Sequence, residues 1–213
     1  MSGLLLLAIQ LVACPRTTYR SYDDPKRNES AFLDRQVTYR LNPAIYSTLP
    51  QCVVVLAEGR NAPAAAARLA GPALARQLSG RLPRVIGPLQ RRRLEKRHGV
   101  DLNVPGDRRH FARATGCKAY LAWRVLVAEE NYFLVWSQRK LRIEAALHRI
   151  SDDTLLWQAA HSARRSDGSV PLSPISVPVA AFEATSFTAD DDVLPSMVDD
   201  VVRRLIVTLP DLR

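Results

Sequence analysis

Little in these 213 residues is set up for catalysis or metal binding. Three cysteines, at positions 14, 52 and 117, are too few and too scattered for a thiolate cage or a disulfide-dense miniature scaffold. The four histidines, His98, His110, His148 and His161, stand at no metal-ligand spacing such as H-E-x-x-H. His148 and His161 fall on neighbouring strands and are more simply solvated or satisfied than a metal pair. No G-x-S-x-G surrounds a serine, and no Gly-rich loop is placed to cradle phosphate. Aromatic residues are only 7% and are not interleaved with the arginines, so a stacking platform for single-stranded nucleic acid is missing. No apolar run reaches the roughly 20 residues that span a bilayer as a helix. These absences leave no expected catalytic residue, metal site or cofactor.

What is present is positive charge and a globular composition. Hydrophobic residues make up 47%, enough for one substantial domain of this length. The net charge of +9 favours polyanionic partners, although an Arg-rich solvated surface is the plainer account. The sharpest basic cluster is Arg91, Arg92 and Lys96 on one expected helix, with Arg108 and Arg109 on the next. It reads either as a polyanion patch or as a solvated helix face.

The N-terminal residues speak to compartment. Residues 4–13 form an apolar run too short to cross a bilayer and of the length of a signal-peptide core. It closes on Leu11, Val12, Ala13 and Cys14, which resembles the bacterial lipobox. That resemblance implies cleavage before Cys14, lipidation of its thiol and amine, and stable anchoring by more than one acyl chain. Pro15, rather than Asp, follows the cysteine, which by likeness to enterobacterial sorting favours the outer membrane. Export would put Cys52 and Cys117 in an oxidising compartment. Each opens an expected strand, so a disulfide and two small buried thiols both stay open.

Residues 14–44 read as a polar, lipidated leader that tethers the domain to its anchor, with 32–42 able to pack on the domain. From 45 to 213 a single α/β domain is expected, a sandwich with a mixed sheet of about five strands. Val53, Val54 and Val55 form a buried first strand. A helix follows from near Pro63, with Gly71 and Pro72 expected to kink or split it. Val85 and Ile86 make a minimal second strand, and helices start at Pro88 and Pro105 and stop at Gly99 and Gly116. Residues 117–165 then read as a three-stranded antiparallel meander. Its first strand is apolar at nearly every position, and Glu129, Glu130 and Asn131 are taken as its turn. In the second strand Leu141, Ile143, Ala145 and Leu147 alternate with Lys140, Arg142, Glu144 and His148, one dry face and one wet. A Ser/Pro/Thr-rich loop over 166–190 precedes a strongly amphipathic C-terminal helix.

The order of elements resembles the bacterial envelope lipoproteins of the CsgG, LpoB and GNA1162-like group. The matching stretches are the Cys14 box, the strand at 53–56, the run from Gly116 to Leu121, and Asp152-Asp153-Thr154-Leu155-Leu156-Trp157 with Ser162-Ala163-Arg164. The resemblance spans most of residues 45–209 and implies a non-enzymatic lipoprotein, anchored by lipid to the inner face of the outer membrane, that binds an envelope protein partner. Channel-forming members of the group add amphipathic barrel strands. Here residues 127–137 do not alternate and 166–190 is too Pro-rich, so no pore is expected. The basic patch would then meet anionic lipid or lipopolysaccharide, nucleic acid is disfavoured, and a homo-oligomer stays open. Two other readings stand beside this one: an auxiliary lipoprotein of a lipid or ABC-type transport system that binds an apolar ligand, and a basic nucleic-acid-binding protein.

Overall fold

The alternation of Leu141, Ile143, Ala145 and Leu147 becomes the centre of a seven-stranded mixed sheet. The computed structural model describes residues 17–23, 36–57, 64–133, 136–168 and 192–213. The strands are β1 (Thr18–Ser21), β2 (Gln36–Leu41), β3 (Val53–Val55), β4 (Val85–Ile86), β5 (Ala119–Phe133), β6 (Trp136–Arg149) and β7 (Leu155–Gly168). The helices are α1 (Ala44–Ser47), α2 (Ala64–Leu78), α3 (Pro88–His98), α4 (Pro105–Thr115) and α5 (Val193–Val207). The strand order is β1-β2-β7-β6-β5-β3-β4. β2, β7, β6 and β5 pair antiparallel, while β1 and the β3–β4 flank join in parallel.

One face of the sheet lies under α2 and α5. It presents Val37, Leu121, Ile143, Leu147, Trp157 and Ala159, all fully buried. α2 answers with Ala70, Leu74 and Leu78, and α5 with Met197, Val201 and Leu205, each set spaced four residues apart, with Val202 beside them. The Trp157 indole N–H donates to Thr208 Oγ1 at 3.0 Å, fastening the sheet to the end of α5. A smaller core of Cys52, Val54, Ile86, Leu102, Phe111 and Tyr120 fills the space under α3 and α4. Gly99 and Gly116 end those two helices at φ of +63° and +74°, a conformation glycine adopts without a Cβ penalty.

Several sequence expectations are amended. The sheet has seven strands rather than about five, because the stretch taken as leader supplies β1 and β2. Val37, Tyr39 and Leu41 alternate onto the covered face, a signal six residues long inside a polar stretch. Glu129, Glu130 and Asn131 are not a turn: they continue β5, in register with Lys140, Arg139 and Gln138. Opposite charges at facing positions favour strand over bend there. Pro72 neither splits nor ends α2. Packing holds that helix, since a Cβ on Gly71 would sit 3.2 Å from Pro88 Cγ and from Trp123 Cζ2. His148 and His161 do not meet, for they occupy opposite faces of the sheet.

Cys52 and Cys117, at the entries to β3 and β5, are joined by a disulfide with Cα atoms 4.7 Å apart. The bond closes a loop 65 residues long that contains α2, β4, α3 and α4. Chain-entropy reasoning assigns such a loop about 4 kcal/mol, with about 2–4 kcal/mol typical in practice. The double substitution Cys52→Ala/Cys117→Ala should lower the urea-derived stability by that amount, and equal midpoints for the two proteins would contradict it.

Candidate functional site: the open face of the sheet

Among the described residues no helix covers the other face of β2, β7, β6 and the outer part of β5. The register sets the side chains that share it. Row by row they are Tyr120 beside His148, Ala122 beside Ala146 and Gln158, Arg124 beside Glu144 and Ala160, then Arg142 beside Ser162, then Lys140 beside Arg164. Thr38 and Arg40 extend two of these rows onto β2. Arg108 of α4 reaches over the inner end of this face, onto Tyr120.

Two polar clusters are built on this face. At its inner end the Tyr120 ring lies parallel to His148, centroids 5.1 Å apart, and the Arg108 guanidinium sits 4.5 Å from the ring centroid. The Tyr120 hydroxyl donates to the Asp153 carboxylate, and His148 Nδ1 stands 3.1 Å from the Asp153 carbonyl oxygen. Asp153 holds the β6–β7 turn at φ +59°, a left-handed conformation that Asp tolerates. In mid-sheet, Glu144 Oε2 accepts from Arg124 Nε at 2.9 Å and Nη2 at 2.7 Å, while Gln158 Nε2 donates to Oε1. Both carboxylate oxygens are thereby engaged, and the Glu144 side chain is only 13% exposed.

The sequence-derived polyanion patch is redistributed. Arg91 is buried: its side chain is 10% exposed, its Nε lies 3.8 Å from Glu95, and desolvation lowers its pKa. It sits on the inward stripe of α3 with Glu95, away from the exposed Arg92 and Lys96. Arg108 is turned onto Tyr120. Arg92, Lys96 and Arg109 are exposed, the first two on α3 and the third on α4. The residues that sequence reasoning passed over are Tyr120 and Arg124, because the apolar run of β5 hid its wet positions. The signal was the alternation of β6, whose polar half is this face. Of the stretch 166–190 read as a loop, residues 166–168 instead end β7, and Cys14 and residues 169–190 lie outside the described residues. No described helix is long and apolar enough to cross a membrane, and no group of three or more His, Cys, Asp or Glu among the described residues could hold a metal ion.

No protein-family model and no curated protein matches the sequence. Solved structures align with parts of the chain at low identity. The PelC dodecamer from Paraburkholderia phytofirmans aligns at 14% identity and a TM-score of 0.43, covering 79% of this chain and 96% of that one. Lipoprotein GNA1162 from Neisseria meningitidis aligns at 17% identity and 0.42, covering 66% and 99%. A minor lipoprotein from Acinetobacter baumannii aligns at 9% identity and 0.38, covering 76% and 91%. Bacterial lipoproteins are thus among the structures this chain is similar to.

Burial, and then the hydrogen bond to Asp153, raise the Tyr120 pKa above the ordinary tyrosine value of 10.0. The folded state therefore favours the neutral phenol. Its contribution to stability is complete below about pH 10 and is lost as pH climbs through the higher folded value. In an ultraviolet alkaline titration one tyrosine should resist ionisation until the protein unfolds. Tyr120→Phe should remove that tyrosine from the titration and flatten the loss of stability above about pH 10. Unchanged titration in the variant would contradict the assignment.

Proposed function

We propose that the chain is a lipid-anchored protein of the bacterial outer membrane, facing the periplasm. On this reading Cys14 carries the lipid, and the domain acts as a non-enzymatic binding or adaptor component of an envelope assembly or secretion system. The observation that supports it best is the Cys52–Cys117 disulfide taken together with the lipobox-like run ending at Cys14. The two are independent and both point outside the reducing cytosol. The disulfide also weighs against a cytosolic nucleic-acid-binding protein. Residues of the interface between sheet, α2 and α5 are close to fully buried against one another, which favours an adaptor over a carrier holding an apolar ligand there.

The short link bears on geometry. Only three residues lie between Cys14 and Thr18, and those four Cα steps reach at most about 14 Å, so β1 stays close to the lipid headgroups. Growth with a labelled fatty acid should tag the wild-type protein and recover it with outer membranes. Cys14→Ala should carry no label and leave the membrane fraction. A wild-type protein that takes up no label would overturn the proposal.

A further inference from the structure

We propose that the outer face of α3 lies on an anionic lipid bilayer and gives the domain a second contact with the membrane surface. Leu89, Arg92, Arg93, Lys96 and Arg97 recur at helical spacing, and all five are exposed, Leu89 at 66%. Among the described residues none of these four cations forms a salt bridge. Arg92 stands one turn from Lys96 and Arg93 one turn from Arg97, like-charge pairs that cost a helix stability. The neighbouring acids do not offset them. Glu95 lies 3.8 Å from the buried Arg91 and accepts from the Leu102 backbone N–H. Asp101 accepts from the Asn103 backbone N–H, and Asp107 from that of Asp101. Between residues 88 and 118 nine Arg and Lys stand against three acids, so the α3–α4 lobe holds +6 of the chain's +9. A row of cations kept at a cost to its own helix is accounted for by an anionic surface outside the chain.

The fold sets the direction of this face. Leu94, on the opposite side of α3, packs with Val54 and Ile86 in the smaller core, whereas Val53 and Val55 pack under α2 and α5. The cation row therefore looks away from α2 and α5. β1, close to Cys14 in sequence, forms one edge of the sheet, while β4, which leads into α3, forms the other. Six strand intervals of about 4.8 Å put the two edges about 29 Å apart. An anchor at one edge and cations near the other lay the domain on its side against the bilayer. Leu89 decides between polyanions: an exposed leucine beside arginines suits the headgroup boundary of a bilayer and gives nothing to a hydrated polymer. The row contains no aromatic ring, so it offers no stacking partner to a base. The choice of membrane rests on the lipid anchor proposed above, whereas binding to a bilayer as such does not.

Sedimentation with vesicles tests it, using the full chain with Cys14→Ala so that no acyl chain contributes. The measure is the excess bound to phosphatidylethanolamine–phosphatidylglycerol vesicles over phosphatidylcholine vesicles, since residues 4–13 are the same in every protein compared. Cys14→Ala alone should show that excess, and the excess should fall as salt rises. Adding Arg92→Gln/Lys96→Gln should weaken anionic binding about tenfold or more, whereas Arg92→Lys/Arg93→Lys keeps the charge and should keep the excess. Adding Arg68→Gln/Arg76→Gln on α2 removes equal charge from the opposite side and should leave binding within about twofold. The urea midpoint of the Arg92→Gln/Lys96→Gln protein should not fall, because a like-charge pair is relieved, and this separates lost binding from lost folding. The proposal is overturned if no excess is seen or if the α2 variant loses as much as the α3 variant. It is also overturned if duplex DNA or polygalacturonate is bound as tightly as the anionic vesicles with the same variant dependence. Failure of the fatty-acid labelling above leaves this result standing, and failure here leaves the labelling standing.

Discussion

The structure depends on the burial of one face of a long antiparallel meander. Leu141, Ile143, Ala145 and Leu147 in β6 and Trp157 and Ala159 in β7 are removed from water by α2 and α5. At about 1.5–3 kcal/mol for each large side chain, this set outweighs any single polar contact in the molecule. Its second effect is on register. A slip of one residue would send every one of these side chains to solvent, so the hydrophobic requirement also fixes which residues share the opposite face. The open face is therefore defined by the buried one. Glu144, Arg142 and Lys140 stand where they do because Leu141, Ile143 and Ala145 cannot stand anywhere else.

Two further constraints shape how that face is displayed. The disulfide ties the entry of β3 to the entry of β5, and so holds the lobe containing α3 and α4 beside the inner end of the sheet. The Arg108–Tyr120–His148 stack continues the same join on the open side, with Asp153 receiving the Tyr120 hydroxyl. On the helical side Asp200 accepts from Arg203 at 2.7 Å and Arg204 at 2.8 Å. Burial works to raise its pKa, but those two bonds outweigh it and hold the carboxyl below its ordinary value. Asp199 turns instead to Arg76 of α2, linking the two helices that form the cover.

Much of this was legible in the residues, and the limits have physical causes. Alternation in β6, glycine stops at Gly99 and Gly116, prolines opening α3 and α4, and the three- to four-residue periodicity of α5 all describe their elements well. What escaped was set by partners distant in sequence. β1 gains its place through backbone pairing with β2 and buries none of its side chains fully, so no pattern marks it. Glu129 and Glu130 read as a turn until the facing Lys140 and Arg139 are known. Arg91 looked like the first residue of a basic patch, and only its burial beside Glu95 shows that its stripe of α3 faces inward. Of the open face, the β6 half was visible as a wet alternation, whereas Tyr120 and Arg124 were masked by the apolar run around them.

One face of the meander is sealed beneath α2 and α5 and no described helix covers the other, and site-by-site thiol labelling tests this most directly. Single substitutions Arg142→Cys and Ser162→Cys should react with a maleimide at near the rate of a free thiol in the native protein. Ala145→Cys and Ala159→Cys, one sheet thickness away, should react only after denaturant is added. Equal reactivity of the two sets in the native state would contradict the account.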